Sequence, residues 1–380
     1  MLNYSCAQQK EVVIVQPALP HYRLPFYEIL RRLLEKDGIR LCVIYSPPDN
    51  KLGYGEPTKA LYSRLKWGEE VPSTVLPFGF VRQPIIRRIK SADLVILSDG
   101  TKYILNYAPY LLPLFKKPKI AFWGHGWNHQ TDMPKSWSER TKFWLGNRVD
   151  WYFAYTWYVR ERLIARGYDE DRITDVQNAV DGPVMAINHN DIERMREELD
   201  LGHDIQVAFF CSKMYPMKEL RLLIAAAIKA HEKLPTFRLV LAGAGSDQGI
   251  AEEAARTHPF VQYIGPVLDK RRAALYALSR LVVMPGLVGL GAAEAFRYGV
   301  PPVATNFPYH SPEFVYLRDN VNSLIVDRTP ESLSTAMIRL ATDDVLHAQL
   351  VAGCQSIAKT LTVEEMARRF AEGIRRALEI

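Results

Sequence analysis

Short apolar runs recur along the chain with helical stretches between them: VVIVQP (12–17), RLCVIYS (40–46), ADLVILSDG (92–100), KIAFWGHG (119–126) and VDWYFAYT (149–156). Runs of this length, separated by segments of helical period, predict βα units around a buried parallel sheet. After ITDVQNAVDGP (173–183) and a charged helix, DIERMREELD (191–200), the rhythm restarts with IQVAFFCS (205–212), FRLVLAGAG (237–245), FVQYIGP (260–266), RLVVMPG (280–286), PPVATN (301–306) and SLIV (323–326). The pattern predicts an α/β chain of two Rossmann-like domains, residues 1–185 and 186–362. Ligands of open α/β sheets gather at the carboxyl ends of the strands, so two such domains are expected to face a central cleft lined by those ends. In the segment 363–380, Met366, Phe370, Ile374 and Leu378 recur at helical spacing. That stripe needs a surface to cover, and packing back on the first domain is the arrangement considered.

Composition narrows the class. At 380 residues and 48% hydrophobic content the chain exceeds one ordinary core and is too apolar for disorder. Cys6, Cys42, Cys211 and Cys354 stand far apart with no CxxC pair, which supports neither a zinc knuckle nor a disulfide framework and fits a reducing cytoplasm. The nearest candidate for a membrane span, YILNYAPYLLPLF (103–115), is short and interrupted by Asn106, Pro109 and Pro113, so no spanning segment is expected. The start, MLNYSCAQQKEVVIVQP, lacks a basic leader and reads as a strand approach, not a signal peptide. The net charge of +6 is uneven: residues 1–185 carry +7 and residues 186–380 carry −1. A basic first half suits an anionic partner, and without a nucleic-acid signature an anionic membrane surface is favoured over nucleic acid.

The densest chemistry lies in PGLVGLGAAEAFRYGVP (285–301). Three glycines, Gly286, Gly289 and Gly291, lead from a strand into a helix, where free N–H groups and the helix dipole favour an anion such as phosphate. Glu294, in the first helical turn, would repel a phosphate beside it and suits a neutral diol such as ribose hydroxyls. Alternatively it complements the helix dipole, with the glycines serving only close packing. GAGSDQ (243–248) lacks the third glycine of a dinucleotide fingerprint because position 248 is Gln248, which disfavours an NAD enzyme. From the residues alone Gly243 and Gly245 form a plain tight turn.

In the first half, His125 sits between Gly124 and Gly126 beyond a strand, as an exposed imidazole suited to general base work or to positioning, or as a capped structural residue. His129 follows without a metal-binding acid, so no metal site is expected. Asp169 and Asp171 form a DxD in a polar connector and read as a solvated loop. The prolines of QPALPHYRLPFYEIL present His21, Tyr22 and Arg23, of which Arg23 either binds a diphosphate or pairs with a surface acid. Asp99 and Gly100 are weaker candidates for acceptor hydroxyls. VRQPIIRRIK (81–90) alternates basic and apolar residues and suits a membrane interface, whereas Trp137, Trp144 and Trp151 read chiefly as core.

Taken in order, FFCSKMYPMKELRLLIAAAIKA, RLVLAGAG, FVQYIGPV, LYALSRLVVMPGLVGLGAAEAFRYGVPPVAT and NSLIV resemble the retaining GT-B glycosyltransferases of family 4 (glycosyl transferases group 1), which use nucleotide-sugar donors. The resemblance is strong over 205–330 and looser through PALPHYRLPFYEIL, HGWNH and QNAVDG. It implies that Lys213 and Lys218 grip the donor diphosphate, with Lys213 in place of the family's arginine. It implies that backbone from Gly286 through Gly289, Leu290 and Gly291 meets phosphate or sugar, and that Glu294 binds ribose. It implies that Gly243 and Gly245, instead of forming a plain tight turn, let the backbone pass near a base or ribose. His125 matches a family histidine near the sugar and acceptor. The family's E-x7-E keeps only its second acid here. Gly286 stands at the first, in a PGxVGL form read as a subgroup trait.

The resemblance implies transfer of a hexose-type sugar from a nucleotide-diphosphate donor to a glycan or lipid-linked acceptor, with retained configuration and no metal or other cofactor. The setting expected is cell-surface polysaccharide biosynthesis in the cytoplasm, peripheral to the inner face of the membrane. The rival reading is a non-catalytic sugar-nucleotide or glycan-binding protein of the same fold.

Overall fold

The computed structural model describes residues 9–47, 65–107, 118–126, 137–180 and 187–379. Cys6, His129 and the side chain of Trp137 lie outside the described residues. The chain divides into two compact units, residues 1–181 with 363–380, and residues 182–362.

The first unit is built on a parallel sheet in the order β3-β2-β1-β6-β7-β8-β9. Its strands are β1 (Lys10–Gln16), β2 (Ile39–Tyr45), β3 (Glu69–Glu70), β6 (Leu94–Ser98), β7 (Lys119–Gly124), β8 (Trp151–Ala154) and β9 (Ile173–Asp175). The apolar runs of the sequence became the central strands. The edges, β3 and β9, carry too few apolar residues to announce themselves, and they exist by pairing with β2 and β8. A short antiparallel hairpin, β4 (Thr74–Val75) with β5 (Val81–Arg82), stands apart from this sheet.

Alternation along β1 explains the layering. Val12 and Ile14 face one side, while Val13 and Val15 face the other, and all four are buried. The Val12 side is covered by α1 (Leu24–Glu35) and by the helix Val363–Glu379. The Val13 side is covered by α2 (Ile86–Ile89), α3 (Trp137–Gly146) and α4 (Trp157–Ile164). Trp151 is fully buried, but Trp144 is 42% exposed with the Arg148 guanidinium 4.1 Å from its ring centre. The core role expected of the tryptophans therefore fails at Trp144, whose helix turns that position outward.

The second unit holds a parallel sheet ordered β12-β11-β10-β13-β14-β15. These are β10 (Gln206–Cys211), β11 (Phe237–Ala242), β12 (Val261–Tyr263), β13 (Leu281–Met284), β14 (Pro302–Thr305) and β15 (Leu324–Val326). Helices follow the strands: α5 (His189–Glu198), α6 (Leu220–Lys233), α7 (Gln248–Thr257), α8 (Asp269–Leu278), α9 (Gly291–Arg297), α10 (Pro330–Thr342), α11 (Asp344–Ala358) and α12 (Val363–Glu379), the last belonging to the first unit. Phe209 and Phe210, adjacent on β10, serve opposite faces of the sheet. The order reverses between β10 and β13, the point where an open sheet offers a ligand crevice. This is the two-domain, Rossmann-like α/β class that the strand rhythm predicts, and the GT-B arrangement of sheets that the family resemblance implies.

Helix α12 closes the first unit with Met366, Phe370 and Ile374, all wholly buried. The Phe370 ring stacks on Phe153 at 4.1 Å and meets Phe26 and Trp123 edge-on at 5.3 and 5.0 Å. Gly373 permits this approach, because a Cβ there would fall 2.4 Å from Thr174 Oγ1 and 2.7 Å from Phe153 Cε1. Phe370→Ala is expected to destabilise the first unit by about 3–5 kcal/mol. Urea unfolding followed by tryptophan fluorescence checks it, and a loss below about 1 kcal/mol would contradict the packing described.

Candidate nucleotide site in the second unit

Beyond Cys211 the chain leaves β10 but keeps its neighbour. Ser212 N donates to Ala242 O at 3.2 Å and Met214 N donates to Ala244 O at 2.9 Å. This back-to-back run requires glycine on the facing loop. A Cβ on Gly243 would lie 1.8 Å from Ser212 O, and one on Gly245 would lie 2.0 Å from Met214 O. Both glycines thus set the path of the segment carrying Lys213 and Lys218. Lys213 is exposed, and partial burial of its ammonium lowers its pKa.

The segment Tyr215–Glu219 then locks into the loop after β13. Leu287 N donates to Met217 O at 2.7 Å, and Lys218 Nζ donates to Leu287 O at 2.6 Å. A Cβ on Gly286 would sit 2.1 Å from Met217 O and 2.9 Å from Glu219 Cγ, so no side chain fits there. The lack of a side chain at position 286 is thereby explained as a steric demand of the interlock. Glu219 itself adopts φ 56 and holds Arg328 by two hydrogen bonds of 2.7 and 3.2 Å.

Further groups fix the same loop. Thr305 Oγ1 donates to Pro285 O at 2.6 Å, and Ser311 N donates to Val288 O at 3.1 Å. Val288 N donates to His310 Nδ1 at 3.0 Å, while His310 Nε2 lies 2.9 Å from Thr305 O, which assigns the proton to Nε2. His310 is buried and stacked on Phe314 at 3.8 Å, and burial pulls its pKa down to about 4. The expectation of free amides throughout 286–291 is therefore corrected: those of Leu287 and Val288 are taken inside the protein. Gly289, Leu290 and Gly291 remain half-buried, and among the described residues no acceptor faces their N–H groups.

Lys218 is largely desolvated, which lowers its pKa to about 8, with the charge of buried Glu313 offsetting part of the shift. An ammonium in that state gains most from an arriving anion, because it has already given up its water. Glu294, on α9, is mostly buried beside Arg272 of α8. Arg272 Nε lies 2.9 Å from Glu294 Oε1 without hydrogen-bond alignment, so charge holds the pair. Burial pushes the neighbouring Cys211 thiol up to about 12, with the Glu294 carboxylate reinforcing the shift. One strand-end face thus gathers Lys213, Lys218, Glu294, Arg272 and the 289–291 amides. Sequence reading missed Arg272, Thr305, His310 and Glu313. Of these only His310, set between Pro308 and Pro312 just past a strand, carried a visible signal.

In the first unit the sequence candidates separate. Arg23 is buried, not presented: it donates to Ala179 O at 3.2 Å and to Asn178 Oδ1, and its guanidinium lies 5.3 Å from the Trp123 ring centre. The diphosphate role considered for Arg23 gives way to a structural tie, because the guanidinium is spent on these partners. Asp99 is also internal, accepting from Gly126 N at 2.7 Å and from Tyr152 Oη. It shapes the loop that carries His125, and the acceptor-binding role considered for it is likewise replaced. His125 is half-buried, its ring edge-on to Tyr155 at 4.5 Å. Asp169 accepts from Asp171 N and caps a 3-10 turn, the solvated loop that was expected.

Residues 205–343 match the family model described as Glycosyl transferases group 1. No curated protein matches the chain. Among solved structures, HepE of Anabaena in complex with UDP-glucose superposes with a TM-score of 0.70 at 16% identity, over 96% of this chain and 99% of that one. The pneumococcal O-GlcNAc transferase GtfA in complex with UDP and GlcNAc gives 0.70 at 11%, over 98% and 100%. Sucrose-phosphate synthase of Thermosynechococcus elongatus gives 0.66 at 14%, over 96% and 98%. At such identities the likeness establishes the fold.

His310 generates a pH signature. An unfolded histidine binds a proton below about 6.5, whereas the folded one resists to about 4. Stability is therefore full above about pH 6.5 and is lost as pH falls toward 4, by roughly 3 kcal/mol. Urea titrations of the wild type and His310→Asn between these limits check it. The variant is expected to show a flatter acid limb, and parallel curves would remove His310 as the cause.

Proposed function

We propose that the chain is a glycosyltransferase that moves a hexose-type sugar from a nucleotide-diphosphate donor to a glycan or lipid-linked acceptor, with retention of configuration. The observation carrying this reading is the interlock of Tyr215–Glu219 with Pro285–Gly291. It fixes Lys218 and the 289–291 amides on one strand-end face, with Glu294 one helical turn away. The family match over 205–343, the complex of HepE with UDP-glucose and that of GtfA with UDP and GlcNAc support the same reading.

In the proposed reaction the bond from the anomeric carbon to the diphosphate oxygen breaks, and a bond from that carbon to an acceptor oxygen forms on the same face. The acceptor's proton passes to the departing phosphate, so a separate base is not obligatory. Lys218, Lys213 and the 289–291 amides stabilise the charge that develops on the leaving diphosphate, and the reaction as proposed calls on no metal. Glu294, steadied by Arg272, accepts hydrogen bonds from the ribose hydroxyls. By the family resemblance His125 positions the sugar or acceptor or serves as base. PGxVGL marks the proposed subgroup of retaining family 4 enzymes. The basic first half, +7 in net charge, supports a cytoplasmic place at the inner face of an anionic membrane, in cell-surface polysaccharide biosynthesis.

A second reading is favoured by one observation, that Gly286 leaves no room for the family's first glutamate. It is a non-catalytic sugar-nucleotide or glycan-binding protein. Donor hydrolysis without acceptor separates the two, since only the transferase is expected to release free sugar and nucleoside diphosphate. A thermal-shift screen of UDP-, GDP- and ADP-sugars identifies the donor for that assay.

Lys218→Ala is expected to slow transfer tenfold or more, because one preorganised charge at a developing anion is worth a few kcal/mol. Wild-type turnover in that variant would remove Lys218 from the chemistry. Glu294→Gln is expected to weaken nucleoside diphosphate binding by roughly tenfold, the loss of a charge-assisted hydrogen bond. Calorimetry reads it directly, and unchanged affinity would reject the ribose assignment.

A further inference from the structure

The hairpin of β4 and β5 carries a feature that neither the core nor the nucleotide site uses. Thr74 pairs with Arg82 and Val75 with Val81, and the turn closes through Leu76 N to Phe80 O at 2.7 Å and Gly79 N to Leu76 O at 3.2 Å. At its tip Phe78 is 98% exposed and adopts φ 63. A bulky aromatic in the left-handed region is strained, and a phenyl ring left in water forgoes its hydrophobic gain. Asparagine or glycine would suit that turn better, so folding alone does not account for phenylalanine there.

Charged and apolar residues flank the tip in sequence. Residues 71–90 contain Arg82, Arg87, Arg88 and Lys90 and no acid. Arg88 is committed to Glu11 and Glu69. Among the described residues, Arg82 and Arg87 have no carboxylate within salt-bridge reach, and both are exposed. Phe80 and Ile86 are also part-exposed. The hairpin is rooted rigidly: Val81 N donates to Lys102 O at 2.8 Å, and Gln83 Nε2 donates to Gln16 O at 3.1 Å and Ser46 Oγ at 2.9 Å. Gln16 and Ser46 lie at the carboxyl ends of β1 and β2. The tip therefore belongs to the ligand-binding end of the first unit's sheet.

A protruding aromatic near cations with no carboxylate partner among the described residues fits a medium that dissolves the ring and supplies anions. A second copy of the same surface would oppose arginine to arginine. We propose that the 74–82 hairpin is a membrane-insertion element, which seats Phe78 among the lipids of an anionic leaflet while Arg82 and Arg87 meet the lipid phosphates. The carboxyl end of the first unit's sheet is then held at the surface from which a lipid-linked acceptor is drawn. The anchor deepens the membrane placement proposed above, and this last consequence rests also on the acceptor class proposed with it.

The test is cosedimentation of the full chain with phosphatidylcholine vesicles, with and without phosphatidylglycerol, at low and high salt. Wild type is expected to pellet with the anionic vesicles at low salt and to lose only part of that binding at high salt, because insertion persists when charge is screened. Phe78→Asn, which suits the left-handed turn, is expected to cut the partition constant about tenfold with a melting temperature equal to or above that of the wild type. Arg82→Gln with Arg87→Gln is expected to remove the salt-sensitive part. Phe78→Trp is expected to bind like wild type and to add blue-shifted emission on the vesicles. Absence of wild-type binding at low salt, equal binding by Phe78→Asn, or unshifted emission overturns the proposal. So does a concentration-dependent dimer that Phe78→Asn dissolves in the absence of lipid. Nucleoside diphosphate binding, measured on the same samples, tests the transferase reading separately and is expected to be unaffected by all these variants.

Discussion

The hydrogen bond from Leu287 N to Met217 O, at 2.7 Å, is the constraint on which the proposed site of the second unit depends. It joins two loops that follow different strands, and it does so only because Gly286 has no side chain. Lys218 returns the contact through Leu287 O, so a group proposed to meet the donor also fastens the frame that aims it. His310 and Thr305 hold the same loop from the far side through Val288 and Pro285. The amides left over, Gly289 to Gly291, are those the frame does not need. An anion site made of such residues is preorganised, because its geometry is fixed by bonds that are present before any ligand arrives.

The electrostatics of this face follow from burial more than from proximity. Lys218 gives up its hydration and its pKa drops, although Glu313 works in the opposite direction. Glu294 sits with Arg272 against Cys211 and Tyr276, in a pocket of protein where a carboxylate without a cation would be costly. The two halves of the face are thus biased in opposite senses, cation toward one loop and acid toward one helix. Such a division suits a ligand with a charged part and a neutral hydroxylated part.

Much of the fold was legible because parallel strands buried on both faces read as continuous apolar runs. The edge strands were not legible: Glu69–Glu70 has no apolar residue, and Ile173–Asp175 has one. At the site, glycine and lysine positions stood out because their chemistry needs no partner to be recognised. Arg23 misled for the complementary reason. A cation on a proline-stiffened loop looks presented, and only the packing of Asn178, Ala179 and Trp123 around it reveals that it is enclosed. His310, Arg272 and Glu313 act through residues distant in the chain, which no local pattern encodes. Phe78 escaped because a single aromatic between proline and glycine looks like any turn until its exposure is known.

Helix α12 places a requirement on the order of assembly. Residues 363–379 complete the core of the first unit, yet they are joined to it by way of the whole of residues 182–362. During synthesis the second unit's sequence is finished before Phe370 exists to stack on Phe153. Vectorial, amino-end-first maturation, the common habit of multidomain chains, is therefore closed to this one. One flank of the β1 sheet must wait under α1 alone while residues 182–362 are translated. A nascent chain of this design keeps part of its first core open until residues 363–379 are made.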